Sequence, residues 1–261
     1  MKRDLELSRT IKRDFDKGQH FLVDLNIIKK EVDVAKISKK DKIIEIGAGE
    51  GNLTAELVKE AGEVLAFEID KRYASKLNFL EKNNKNLKII YDDALDHSWK
   101  GYTKIVSNIP YFISEQIINK AIEEGILEMT LIVGKRFKEK LASKQSKIGI
   151  ISNLFYNIEF ITKVDKKCFS PPPRVNSWLI KMSRKKEFSD TESLLISILK
   201  RKGKLKNAIL YSFVERGKTK RESKKIIENM NLNSQSLEKP MSRLTGKLLI
   251  RLIKELKKIK P

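Results

Sequence analysis

Three closely spaced glycines, two acids at later strand ends and one Asn-Ile-Pro-Tyr turn are the residues whose types and spacing could do chemistry. The segment EIGAGEGNLT places Gly47, Gly49 and Gly51 between an apolar β-branched run and an amphipathic stretch. Glycines at a strand-to-helix turn let the backbone approach a ligand closely and aim amides into the crevice at the strand ends. The pattern is G-x-G-x-G, not the G-x-G-x-x-G of dinucleotide sites, and so favours S-adenosylmethionine, a nucleoside without a pyrophosphate. Standing alone, such a loop has a lesser second reading as a tight turn without a ligand. Glu68, in AFEID, lies 21 residues beyond Gly47 and can accept both hydrogen bonds of a ribose diol. Asp93, in YDDAL, can accept from an adenine amino group; its neighbour Asp92 is a competitor that spacing does not exclude. Gly, Glu and Asp at three successive strand ends point to a methyltransferase.

SNIPYFIS, from Ser107 to Ser114, ends a fourth strand beside the expected methyl group. An exocyclic adenine amine is a poor nucleophile because its lone pair is conjugated into the ring. The Asn108 side-chain oxygen and a backbone carbonyl freed by the turn at Pro110 can each accept one N–H, leaving the lone pair aimed at the methyl. Tyr111 would stack on the flipped base. No strong general base is required. Methylation at a pyrimidine carbon would need a cysteine nucleophile, and Cys168 stands in a different segment, where it reads as a small packed residue. CFSPPPRVNS sets Phe169 ahead of three prolines, either against the other face of the base or in the core. GQHFLVD, ahead of the first strand, reads as a helix cap, or as a lid contacting the cofactor through His20 and Leu22.

A strand–helix alternation must position these residues. KIIEIGAG, EVLAFEID, LKIIYDDAL, TKIVSNIP and EMTLIVG read as strands. Between them NLTAELVKEAG, closed by Gly62 as C-cap, KRYASKLNFLEKN and SEQIINKAIEEG read as helices. This predicts an α/β fold with a doubly wound, Rossmann-like sheet. GIISNLFYNIEFITKV and SWLIKMS have no helical spacer and are expected as strands at the sheet edge. TESLLISILKRKG, KLKNAILYSFVERG, KRESKKIIENM and LTGKLLIRLIKELKKI then predict a smaller all-helical domain, the last segment carrying Leu248, Leu249, Leu252, Ile253 and Leu256 on one face.

Composition breaks at the same place. The 261 residues carry 55 Lys plus Arg against 34 Asp plus Glu, a net +21, and from Arg184 onward there are 22 basic and 8 acidic residues. Residues 1–183 are therefore expected to form the catalytic domain with an N-terminal lid segment, and residues 184–261 a basic helical domain. The charge predicts a polyanionic partner, nucleic acid or an anionic membrane. One cysteine and two histidines exclude an intramolecular disulfide framework and argue against a metal site. No apolar run approaches the ~18 residues of a membrane span, and the N-terminus lacks a signal-peptide core. A soluble, cytoplasmic protein is expected.

Taken together, GQHFL, IEIGAGEGNLT, FEID, DDAL, NIPY and FSPPPRVNS resemble the ribosomal RNA adenine N6-dimethyltransferases, which include small-subunit rRNA enzymes and the macrolide-resistance Erm enzymes. The resemblance runs over residues 18–183. It implies S-adenosylmethionine contacts at His20, Leu22, Gly47, Glu68, Asp93 and Asn108, with Gly49 in the same loop, and a target-adenine pocket of Asn108, Pro110, Tyr111 and Phe169. Position 20 is commonly Asn in bacterial members, so His20 is a departure. The C-terminal stretches ILKRKGKLKNAIL and RLTGKLLIRLIKEL are more similar to the small-subunit type. The implied reaction is dimethylation of N6 on two adjacent adenines near the 3′ end of small-subunit rRNA during ribosome biogenesis. An Erm-type large-subunit enzyme, a DNA adenine methyltransferase and a non-catalytic ribosome-assembly factor are the alternatives. Lys200, Arg201, Lys202, Lys204 and Lys206 would then contact phosphates of the rRNA in an immature small ribosomal subunit. A monomer with no metal and no membrane partner is expected.

Overall fold

The computed structural model describes residues 20–259. Gly18 and Gln19 of the GQHFL motif, and the rest of the expected lid segment before His20, lie outside them. Nine strands are present among the described residues: β1 (Phe21–Leu22), β2 (Lys42–Ile46), β3 (Glu63–Phe67), β4 (Leu87–Ile90), β5 (Lys104–Asn108), β6 (Glu128–Gly134), β7 (Tyr156–Val164), β8 (Phe169–Ser170) and β9 (Ser177–Arg184). Seven form one sheet in the order β4-β3-β2-β5-β6-β9-β7, while β1 pairs with β8 alone. The first five in that order are parallel, and β9 runs antiparallel to both of its neighbours. Ile43, Ile44 and Ile46 of β2 are all buried, as expected of a parallel strand covered on both faces. This is the α/β, Rossmann-like sheet that the alternation of apolar runs and amphipathic stretches predicts.

The chain leaves β2 toward β3 and β4 and later returns to the other side at β5, so the order reverses between β2 and β5. A ligand crevice forms outside the carboxyl ends of strands at such a reversal. The two strands pair through Ile43↔Lys104 and Ile44↔Ile105. Beyond that the Ser107 hydroxyl accepts from the Ile46 N–H at 3.2 Å and donates to the Ile46 carbonyl at 2.7 Å. It keeps the Ile46 backbone satisfied where the ladder gives way, directly below Gly47 and Asn108.

Two compact units divide the chain: one ends at Glu139 and resumes over Tyr156–Arg184, the other takes Lys140–Phe155 and everything from Lys185. The change at Lys185 lies within two residues of the composition break, but Lys140–Phe155 falls with the helical unit. The reason is local. The stretch expected as one strand from Gly149 begins instead within a helix, Lys147–Phe155, and only Tyr156–Val164 extends. The Ser146 hydroxyl accepts from the Gly149 N–H at 2.9 Å and starts that helix. A Cβ at Gly149 would meet the Ser143 carbonyl oxygen at 2.2 Å, so the backbone passes where no side chain fits. The unit also contains helices Asp190–Leu199, Leu205–Val214, Lys220–Glu228, Ser234–Leu237 and Gly246–Leu256. Capping boxes at Ser189 with Glu192 and at Thr219 with Glu222 open two of them. On the last helix Leu248, Leu249, Leu252 and Leu256 are buried together with Glu255, whose carboxylate accepts from the Asn231 N–H.

Gly62 is not a C-cap. The helix Asn52–Glu60 ends at Ala61 in extended conformation. Gly62 is small because a Cβ there would meet the Lys39 carbonyl oxygen at 2.2 Å.

Candidate active site

A cavity of about 490 Å³ opens at the carboxyl ends of β2, β3 and β5, lined among others by His20, Leu22, Gly47, Glu68, Asp93, Asn108, Pro110, Tyr111 and Phe169. All of these predicted site residues are brought to one place. Gly49 sits in the same loop, and Gly47, Gly49 and Gly51 have φ of 81°, 55° and 85°, a region that L side chains rarely adopt. A Cβ on Gly49 would lie 2.7 Å from the Phe21 ring, so only glycine lets that ring close over the loop.

The loop amides do not point into the crevice as the spacing suggests. Gly47 and Ala48 N–H donate to the Phe67 carbonyl at 2.8 and 3.0 Å, and Gly49 N–H donates to Glu68 Oε2 at 2.7 Å. The turn is braced on β3, and its donors are spent inside the protein rather than on an anion. Glu68 is 6% exposed, and its Oε1 accepts from the Asp70 N–H at 2.8 Å. Burial raises its pKa, while the amide hydrogen bonds pull the other way. Each carboxylate oxygen retains a lone pair for a ribose hydroxyl. At the next strand end, Asp92 is 60% exposed, with Oδ1 accepting from the Asp93 N–H and Oδ2 3.0 Å from His97 Nε2, the contact that chiefly lowers its pKa. Asp93 is half-buried and uses Oδ1 to cap its own turn through the Leu95 N–H. Ile69 and Leu95, which the motifs do not single out, add apolar walls beside these acids.

Asn108 ends β5 with its side-chain Oδ1 buried and without a hydrogen-bond partner. Such an atom is costly to leave unmatched, and in a cavity wall it marks where a donor belongs. The Pro110 carbonyl already accepts from the Ile113 N–H and the Ser114 hydroxyl, both at 3.2 Å. Tyr111 is 36% exposed, its hydroxyl 2.5 Å from Ser177 Oγ, and burial raises its pKa. Its ring lies over Gly134 at the end of β6, where a Cβ would come within 3.1 Å. Ser177 pairs with Gly134 in the sheet, so the end of one strand pair seats and anchors the ring. Gly134 belongs to no motif and Ser177 only closes FSPPPRVNS; the fold alone brings both to Tyr111. Gly134→Ala is expected to shift the Tyr111 ring by a few tenths of an ångström and lower single-turnover methyl transfer roughly tenfold, with an unchanged thermal midpoint. Wild-type turnover in that variant would mean that the ring's position is not critical.

The segment around His20 contains a helix cap and, before it, a short strand. Asp24 caps the helix Leu25–Ala35 by accepting from the Asn26 and Ile27 N–H groups. Before it, β1 pairs with β8 through Phe21↔Ser170 and Leu22↔Phe169. His20 Nδ1 lies 2.8 Å from the Pro171 carbonyl, so Nδ1 carries the proton and a neutral ring offers Nε2 as an acceptor. Phe169 is 5% exposed and packed with Leu22, lining the cavity from the core instead of standing free in it. Cys168, half-buried, donates toward Asp24, and burial raises its pKa.

Two acids were missed altogether. Glu45, in β2, lines the cavity; it is 2% exposed and its Oε2 meets no partner. Burial pushes its pKa up to about 8, helped by the neighbouring Glu68 and opposed by Thr54. Glu31 of the helix Leu25–Ala35 is fully buried with both carboxylate oxygens unpartnered, and burial, then Glu45, raises its pKa. An acid three residues after Ile28 and four before Ala35, on an apolar stripe, is the signal that could have found it.

In the helical unit, the five predicted cations differ. Arg201 pairs with Glu215 at 2.6 Å, donates to Ser212 Oγ and the Tyr211 carbonyl, and so ties the turn after the helix Asp190–Leu199 to the helix Leu205–Val214. Lys204 and Lys206 share Glu238. Lys200 and Lys202 are exposed and form no ion pair among the described residues.

A family model described as ribosomal RNA adenine dimethylase matches residues 10–245. A protein of Methanococcus maripaludis named probable ribosomal RNA small subunit methyltransferase A is 34% identical, over 82% of this chain and 86% of its own. One of Mycoplasmopsis pulmonis, ribosomal RNA small subunit methyltransferase A, is 38% identical, over 76% and 84%. The crystal structure of a dimethyladenosine transferase from Plasmodium falciparum superposes with a TM-score of 0.64 at 26% identity, covering 92% of this chain and 98% of that one.

Proposed function

The chain belongs to the ribosomal RNA adenine dimethylase family, and we propose that it dimethylates N6 of two adjacent adenines near the 3′ end of small-subunit rRNA, with S-adenosylmethionine as methyl donor. The single observation carrying the chemistry is the buried, unpartnered Asn108 Oδ1 in the cavity wall. The relatives' names carry the choice of the small subunit.

The residues present fit that cofactor. Glycine-loop amides committed to Phe67 and Glu68 suit a nucleoside lacking a pyrophosphate. Gly47 and Gly49 would face it closely, Glu68 would accept from its ribose, Asp93 from its adenine amine, and His20 Nε2, Leu22 and Asn108 would border its amino-acid end. When bound, it supplies an electrophilic methyl group on sulfur. The rest falls to the chain. Asn108 Oδ1 takes one N–H of the target amine. Because the Pro110 carbonyl is already doubly used, the second acceptor is the Ile109 carbonyl, ahead of a proline that has no N–H of its own. Tyr111 holds the base by its ring, and Phe169 backs the pocket from below. An unpaired loop adenine costs little to flip.

In the helical unit Lys200 and Lys202 are assigned to rRNA phosphates, with Lys204 and Lys206 contributing only where phosphate displaces the shared Glu238. Lys200→Gln with Lys202→Gln is expected to reduce the slope of log affinity against log salt by about 1.4 to 1.8, measured by filter binding. Arg201→Gln is expected to lower the thermal midpoint instead, by loosening its ties to Ser212, Tyr211 and Glu215. An unchanged slope in the double variant would move the phosphate contacts elsewhere. Mapping dimethyladenosine in rRNA from cells with and without the gene tests the function itself. Loss of both small-subunit marks is expected; loss of a large-subunit mark, or of none, would overturn the assignment.

A further inference from the structure

We propose that Glu45 senses the charge of the ligand in this pocket: its carboxyl is neutral in the free protein, ionises as a sulfonium ligand enters, and is neutral again when a thioether remains. The inference rests on the cofactor assignment above and concerns a residue that the amine-positioning chemistry does not use.

The geometry is that of an acid with one oxygen left unmatched and no cation beside it, Thr54 alone favouring its charged form. Glu45 stands two residues before Gly47, in the cavity wall, with Oε2 buried and unpartnered. From the helix Leu25–Ala35 it is faced by Glu31, from the β3 side by Glu68, and from the helix Asn52–Glu60 by Thr54. On β5 the neighbouring residues are Val106 and Ser107, which carry no charge. The lysines packed near the helix Leu25–Ala35 are committed at its C-terminal end. Lys104 hydrogen-bonds the Lys36 carbonyl and pairs with Asp41 and Glu128, while Lys181 hydrogen-bonds the Val34 carbonyl. Among the described residues the cavity wall contains Glu45, Glu50, Glu68, Asp92 and Asp93, but no Lys or Arg. A carboxyl so placed keeps its proton until a cation arrives from solution, and burial has the same effect on its free-state titration.

S-Adenosylmethionine brings such a cation on its sulfur; its spent form keeps the same ammonium and carboxylate but has no charge on sulfur. In the transfer the S–CH₃ bond breaks with its electron pair left on sulfur, the N6 lone pair forms the new C–N bond, and the amine sheds one proton. Glu45 releases one proton on cofactor binding and regains one when the neutral thioether is left. The cycle as a whole therefore still yields the single proton of the methylation. The consequence is a pH-dependent preference for fresh cofactor over product. Contacts common to both ligands, Glu68 to the ribose among them, cancel in that comparison.

The test is isothermal titration of the full chain at pH 7 in buffers of different ionisation enthalpy. The ligands are S-adenosylmethionine, sinefungin, which carries an amine cation in place of the sulfonium, and S-adenosylhomocysteine. Both cations are expected to release up to one proton more per site than the thioether. The dissociation constant of S-adenosylhomocysteine divided by that of S-adenosylmethionine is expected to rise several-fold, at most tenfold, from pH 6 to 7. Glu45→Gln should bind the thioether but lose the difference in protons, which separates Glu45 from the ligands' own amino groups. Equal proton counts for all three ligands, or a flat ratio on the unsubstituted chain, would overturn the proposal even if the variant fails to fold. If none of the three binds, the cofactor assignment falls and this inference with it; if all bind with equal counts, only this inference falls.

Discussion

Replacing Asn108 by alanine is expected to lower methyl transfer by roughly 10²- to 10³-fold while rRNA binding stays near that of the unsubstituted chain. The argument starts from the amine. Its lone pair must leave conjugation with the ring, and two acceptors on its N–H bonds favour the geometry in which it has done so. The Asn108 oxygen is one of them, held at the end of β5 with no partner inside the protein. Alanine also relieves the cost of a buried unmatched carbonyl, so the variant should fold at least as well. That separates a catalytic loss from a structural one. The measurement pairs single-turnover methylation of immature small subunits with filter binding of the same particles. Turnover within a few-fold of wild type would leave the Asn108 oxygen without its assigned role. Equal losses of binding and turnover would make Asn108 a substrate-binding residue instead.

The parts of this site that can be read in sequence are those whose partners lie close along the chain or at the regular intervals of strand ends. Gly47, Gly49, Glu68, Asp93 and Asn108 are of that kind: each follows an apolar run, and the parallel sheet lines such ends up. Gly134 and Ser177 are not. They matter because β9 pairs with β6 and places both against Tyr111, in contacts that span 23 and 66 residues of sequence. His20 and Pro171 meet across 151 residues. The loop amides show a different limit. Spacing places the glycines correctly but cannot say whether their N–H groups face a ligand or Phe67 and Glu68. In the helical unit, a run of cations looks uniform until Glu215 and Glu238 fold onto three of its members. Lys147–Phe155, an apolar β-branched run, is a helix whose first turn bonds the Ser146 hydroxyl.

Glu68→Gln is expected to weaken S-adenosylmethionine binding about 10²-fold, a loss of nearly 3 kcal/mol. The substitution changes one oxygen to NH₂ and almost no volume. Yet both oxygens of Glu68 already accept backbone N–H groups, Oε2 from Gly49 and Oε1 from Asp70. A glutamine side chain can satisfy only one of them, since its NH₂ would confront the other donor. The unmatched buried amide alone costs about 1 to 3 kcal/mol, part of it in the fold and part in the seat of the glycine loop. The ribose loses an anionic acceptor as well, a hydrogen bond of about 1.5 to 3 kcal/mol. Titration calorimetry reads the sum, and the thermal midpoint without ligand reads the structural share. At the next strand end Asp92→Asn should shift affinity only a few-fold, because that side chain is 60% exposed and bound to its own loop. Asp93→Asn should cost more, because it lies half-buried in the cavity wall. Unchanged affinity in Glu68→Gln would remove the ribose contact from this residue and leave it a brace for the loop alone. A larger effect at Asp92 than at Asp93 would exchange the roles of those two acids.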